Sequence, residues 1–135
     1  MPREAAARAE PDGYTFGIST SATFSALTAI RKLPIDISRD LSPVARLTSL
    51  GLVFAVNPSL PVSTWAEFVA YAKARPGQLN YGSAGNGSAG HLAFEYLKMA
   101  TGIFVVHVPY RGTGPMLTDL LSGRLQAAAV GAPAL

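Results

Sequence analysis

Ser83, Gly85, Asn86, Gly87, Ser88 and His91 crowd into one stretch, LNYGSAGNGSAGHLAFEYL, that runs from Leu79 to Leu97. A short apolar strand pattern leads into a loop of Gly, Ser, Ala and Asn. That loop opens a helix carrying Leu92, Phe94, Tyr96 and Leu97. Small residues at a helix start let a ligand approach bare backbone N–H groups, which carry the positive end of the helix dipole. The guest such a loop suits is an anion. The same residues also suit a tight turn that only lets helix and strand pack closely, and spacing alone leaves both readings open.

Other chemistries fit less well. Gly85, Gly87 and Gly90 approximate a G-x-G-x-x-G spacing, but a dinucleotide site wants an acidic residue about twenty positions on. Val105-Val106-His107-Val108 supplies none, and no Gly-Lys-Ser/Thr ending marks a phosphate loop. His91, in the first helical turn, suits a donor at the edge of a ligand. A small α/β hydrolase or phosphate-binding enzyme using Ser83 or Ser88 with His91 is the alternative. It lacks a carboxylate to orient the histidine, and a helix N-terminus disfavours imidazolium. His107, between two valines, is expected to be buried with a backbone partner. Arg111 suits either a two-pronged carboxylate clamp or a solvent-facing turn. With two histidines, no cysteine and eight unclustered carboxylates, neither a metal site nor a cofactor is expected.

The elements that must position these residues follow from the pattern. Pro11-Asp12-Gly13 is a turn, and Tyr14–Ser19 reads as a buried strand. Ser19-Thr20-Ser21 then caps a helix to about Ile30. Leu33–Pro43 reads as an extended loop and Val44–Asn57 as one or two strands. Ser63 or Thr64 starts a helix with Glu67 as its capping-box partner, on which Trp65, Phe68 and Tyr71 form a core face. A strand at Gln78–Ser83 and a helix from Ser88 to Met99 follow. A strand at Phe104–Val108, a helix capped by Thr113 and running to Leu121, and a strand at Leu125–Val130 complete the pattern. This alternation predicts an α/β fold with a mainly parallel sheet and flanking helices. Ligands of such sheets sit beyond the carboxyl ends of the strands, where the three loops at Ser19–Ala22, Ser83–Gly90 and Arg111–Gly114 share a Gly/Ser/Thr chemistry.

Composition narrows the function classes. The 135 residues are 49% hydrophobic and 14% charged, with a net charge of +3, against a usual charged share of roughly 25%. A folded core is therefore expected, and the scattered basic residues give no stripe for nucleic acid. No apolar run approaches the roughly 18 residues that span a membrane. The first residues, MPREAAAR, lack the apolar core of a signal peptide.

Five blocks taken in order identify a family resemblance: PDGYTFGIST, LPIDISRDLSPVARL, VNPSLP, ARPGQLNYGSAGNGSAGHLA and HVPYRGTGPMLTDLLSGRLQ. From about Pro11 onward the chain resembles the Bug receptors, the extracytoplasmic solute-binding proteins of tripartite tricarboxylate transporters. The resemblance implies a hinged, two-lobe, periplasmic-binding-protein-like (type II) architecture that closes on a small carboxylated solute and performs no catalysis. It implies a periplasmic location, with the membrane components of a secondary transporter as partners. By position, Ser19, Thr20 and Ser21 match the ligand loop of the first lobe. Ser83, Ala84, Gly85, Asn86, Gly87, Ser88 and His91 match the anion loop of the second, and Gly112 and Thr113 match the next loop. Arg111 stands where the family commonly has a basic residue. Relatives are longer, so the expected organisation is incomplete: residues 1–56 as a remnant of the first lobe and 57–135 as part of the second, with a hinge near Val56-Asn57. Such a fragment is expected to bind its ligand weakly and to self-associate through exposed sheet edges.

Overall fold

A computed structural model describes residues 2–22, 32 and 34–132. The chain divides into two compact units, Met1–Ser49 and Leu50–Leu135.

In the first unit, helix α1 spans Pro2–Arg8 and helix α2 spans Ile37–Asp40. Asp36 caps α2 by accepting the Ser38 N–H at 3.0 Å, so a helical turn stands where a continuous loop was expected. Tyr14–Ser19 forms no strand: among the described residues no ladder pairs with it, and Tyr14, Phe16 and Ile18 are 88%, 70% and 85% exposed. An extended segment becomes a strand only when a neighbour takes up its N–H and C=O groups. Apolar alternation cannot supply that neighbour. The helix expected after Ser19–Ser21 falls mostly on residues 23–31, outside the described residues.

The second unit is built on a four-stranded sheet. Its strands are β1 (Leu52–Val56), β2 (Asn80–Ser83), β3 (Val106–Pro109) and β4 (Ala127–Gly131), in the order β1-β4-β2-β3. β2 runs parallel to both β3 and β4, while β1 lies antiparallel to β4 in the register Leu52↔Gly131 to Val56↔Ala127. The sheet is thus mainly parallel, as the βα alternation predicts. Of the long apolar run from Val44 to Asn57, only β1 is a strand.

Helices α3 (Trp65–Lys73), α4 (Ala89–Thr101) and α5 (Thr113–Leu121) connect the strands. The period of two along β4 shows how they cover the sheet. Ala127 and Ala129 face a core of Phe68, Ala72, Leu79, Tyr81, Phe94, Leu97, Ile103 and Val105. Ala128 and Val130 face Met116, Leu120 and Leu125. β4 is therefore buried on both faces, and its run of small residues lets helices lie close on each side. The predicted Trp65–Phe68–Tyr71 face is only partly core: Phe68 is buried, Trp65 is 45% exposed, and Tyr71 carries the Arg75 guanidinium 3.9 Å from its ring centre.

Caps fix the helix starts. Thr64 and Glu67 form the predicted capping box: Thr64 Oγ1 accepts the Glu67 N–H at 3.2 Å, and Glu67 Oε2 accepts the Thr64 N–H at 3.1 Å. Thr113 is not a cap but the first helical residue of α5; Gly112 stands at the cap position, with no side chain to bond.

The end of α5 is held differently. Buried Asn57, just after β1, donates through Nδ2 to the Leu120 carbonyl at 2.6 Å and accepts the Ser59 N–H at 2.9 Å. Replacing Asn57 by alanine leaves the Leu120 carbonyl only the Gly123 N–H at 3.2 Å and takes the acceptor from the Ser59 N–H. The expected loss is about 2 kcal/mol, read as a lower urea midpoint.

Candidate functional site

Parallel pairing brings two of the three candidate loops, those after β2 and β3, side by side at one end of the sheet. Ser83 at the end of β2 stands opposite Pro109 at the end of β3, and the Tyr110 N–H donates to the Ser83 carbonyl at 2.9 Å. The loop 84–88 and the turn 110–112 therefore leave the sheet side by side, at the carboxyl ends where α/β sheets take ligands. Gly85 (φ 128°) and Gly87 (φ 77°) give the loop its reversals.

Ser83 anchors this loop. Its side chain is wholly buried. Oγ accepts the Gly85 N–H at 3.2 Å, donates to the Gly85 carbonyl at 3.1 Å, and lies 2.7 Å from His107 Nε2. With the one hydroxyl proton given to Gly85, the histidine tautomer that completes the set carries its proton on Nε2. Ser88 caps α4 by accepting the His91 N–H at 3.3 Å. His91 reaches back, its Nδ1 accepting the Gly87 N–H at 3.2 Å. Ala84 and Asn86 stand exposed on the rim, and Gly112 and Thr113 are half-buried at the neighbouring turn. Ser19, Thr20 and Ser21 are exposed residues of the first unit. Arg111 is exposed.

The largest departure from the sequence reading is His107. It is not held by a backbone partner. Its ring binds Ser83 and sits between two others: His91, with centroids 4.2 Å apart, and Tyr81, at 4.9 Å. Tyr81 in turn stacks on Phe94 at 4.2 Å, so four rings connect the loop to the core. The β2–β3 register, which pairs Tyr81 with His107, is the signal that would have found this stack, and it becomes visible only once the two strands are aligned. Burial, then the charge of His91, hold His107 below the usual histidine range, with Lys98 adding to them and Glu95 opposing. Below the stack, Glu95 Oε1 accepts from Tyr81 Oη at 2.6 Å and from Lys98 Nζ at 2.8 Å. Burial, reinforced by Glu95, pushes the Tyr81 phenol above its ordinary range, so it remains a donor.

Elsewhere in this unit, an apolar groove of about 210 Å³ is lined by Phe54, Val56, Val62, Trp65, Phe68 and Phe94 among others, with no charged group in its walls. Among the described residues no cluster of three or more His, Cys, Asp or Glu side chains is placed to hold a metal ion, and no helix is long and apolar enough to cross a membrane.

The family model for the tripartite tricarboxylate transporter family receptor matches residues 1–135. The chain belongs to that receptor family. Among curated relatives, the protein BugT of Bordetella pertussis is 34% identical over 134 residues, covering 98% of this chain and 41% of BugT. A solved structure described as a periplasmic transporter superposes with a TM-score of 0.92 at 40% identity, covering 98% of this chain and 45% of that one. MatC from Rhodopseudomonas palustris, solved with bound malate, superposes with a TM-score of 0.87 at 28% identity, covering 96% and 45%. The mixed α/β architecture is thus that of periplasmic binding proteins. The chain spans about two fifths of the length of its curated relatives, 41% for BugT.

Proposed function

We propose that this chain forms part of an extracytoplasmic receptor that captures a small carboxylate for a tripartite tricarboxylate-type transporter. One observation carries the reading. The loop 84–88 and the N-terminus of α4 stand at the carboxyl ends of parallel strands, and MatC, whose structure superposes on this chain, was solved with malate. The carboxylate is held by main-chain N–H groups of Ala84, Asn86 and Gly87, with His91, Gly112 and Thr113 at the edge, while the Gly85 and Ser88 N–H groups are given to Ser83 Oγ and the Gly85 carbonyl and keep the loop's shape. Ser83 shapes the loop from beneath. Ser19, Thr20 and Ser21 enter this reading through the resemblance alone, as do the periplasmic location, the membrane partners and the lobe assignment of 1–56 and 57–135, although the compact units divide at Ser49 and Leu50. Self-association is no part of it.

The hydrolase alternative is disfavoured by the geometry. Ser83 is buried and bonded to His107 rather than His91, and Ser88 is spent as a helix cap. A nucleophile must be reachable by its substrate.

Calorimetry with malate, succinate and citrate, each against its neutral amide, tests the proposal. Saturable binding of at least one acid and none of the amides is expected. Equal binding of acid and amide, or no heat from any acid, would overturn it.

A further inference from the structure

The ring stack under the loop is not needed to hold an anion on backbone N–H groups, and its connection to Gly87 is unusual. The Gly87 N–H already has an acceptor, His91 Nδ1 at 3.2 Å. A carboxylate seated on the loop needs that same N–H. We propose that His91 and the carboxylate compete for the Gly87 N–H, and that protonation of His91 decides the competition for the carboxylate. This rests on the carboxylate reading above and adds a proton to it: one proton moves from water to Nδ1 as the ligand binds.

The chemistry follows from the lone pair. While Nδ1 accepts, the neutral ring carries its proton on Nε2. A second proton at Nδ1 sets two donors face to face, and the bond to Gly87 is lost. The released N–H then points to the ligand, and a positive ring stands beside the ligand's negative charge. A positive ring at a helix N-terminus is opposed by the helix dipole, and a bound carboxylate offsets that opposition.

The groups facing the pair explain why one ring takes the proton. On α4 these are Glu95 and Lys98, on β2 Tyr81 and Ser83, and on β3 His107 itself. Glu95 is already engaged by Tyr81 and Lys98. His107 is half-buried, keeps Nε2 on Ser83, and lies 4.2 Å from His91 across the stacked faces. Two adjacent cations at that spacing repel strongly away from bulk water. The pair therefore takes up a single extra proton, and His91, with Nδ1 on the loop, is its carrier.

Calorimetry of the purified protein with malate, run in phosphate and in Tris buffer, measures the protons exchanged. Net proton uptake on malate binding is expected. Affinity is expected to rise as pH falls from 8 to 6.5, by at most about tenfold per unit. His91→Gln should abolish the uptake and leave whatever affinity remains flat across that range. His107→Gln should retain the uptake. Binding without proton exchange, unchanged uptake in His91→Gln, or uptake lost only in His107→Gln would overturn the inference while leaving the carboxylate reading intact. No binding of malate, succinate or citrate at any pH would remove both.

Discussion

Replacing Gly90 by alanine is expected to destabilise the second unit by about 3 kcal/mol or more. Gly90 lies in the first turn of α4, and a Cβ built on it falls 2.3 Å from the Ala129 carbonyl oxygen and 3.3 Å from its carbon. Both atoms are backbone of β4, the strand that pairs with β1 and β2. A flexible side chain could swing aside; a sheet carbonyl cannot. Relief requires α4 to lift off the sheet, which opens the contacts of Phe94 and Leu97 and pulls the 84–88 loop with it. Urea unfolding should show a lower midpoint at unchanged slope. Gly114→Ala is the control. It also lies in the first turn of a helix, α5, yet nothing beyond its chain neighbours and its own helix stands within 4 Å of its Cβ. There the propensity gain of alanine is offset by the restriction that Pro115 puts on the residue before it, and the change should stay within about 1 kcal/mol. Equal effects at the two positions would mean that α4 does not rest on β4 as closely as the structure places it.

That contact also shows what the sequence made legible and what it did not. The βα alternation, the capping box at Thr64 and Glu67, and the helix start near Ser88 are local, and each is where the pattern put it. These depend on neighbours in the chain, which a sequence displays. Tyr14–Ser19 has an equally good strand pattern and forms no ladder among the described residues. Its outcome depends on a partner strand that no local pattern encodes. Gly90 belongs to the same class. In the sequence it is the third glycine of a loose nucleotide-like spacing, whereas in the fold it is a clearance between helix and sheet.

The candidate site divides along the same line. Gly85, Gly87, Ser88 and His91 were recognisable because loop and helix start are contiguous in sequence. The Ser83–His107 bond joins residues on different strands, and the ring stack needs β2 and β3 in register. A histidine flanked by valines reads as ordinary core until its strand is aligned with Tyr81. Arg111 was an open choice between clamp and solvent, and the structure leaves it exposed. The candidate anion loop was therefore legible, and the machinery that holds the loop in shape was not.

That machinery carries the second large effect. Ser83→Ala is expected to weaken carboxylate binding about tenfold or more, a change of about 1.4 kcal/mol in binding free energy per factor of ten, although the Ser83 hydroxyl is turned to protein partners beneath the loop. Its side chain is wholly buried and serves three groups: the Gly85 N–H, the Gly85 carbonyl and His107 Nε2. Alanine removes all three partners at once and lets no water replace them in a filled site. The stability cost is expected at about 1–3 kcal/mol, less than that of Gly90→Ala. The loop suffers more than the core. Gly85, with φ at 128°, loses both contacts that fix its reversal, so the N–H groups that must converge on the carboxylate adopt many arrangements and ordering them is charged against binding. Ser88→Ala separates this from simple loss of a hydroxyl near the site. It removes the α4 cap, costs about 1 kcal/mol of stability, and leaves the Ser83 anchor in place. Malate calorimetry at a temperature where both variants are folded should show the larger affinity loss in Ser83→Ala. Equal losses would place the control of the loop in the helix cap rather than in the buried serine.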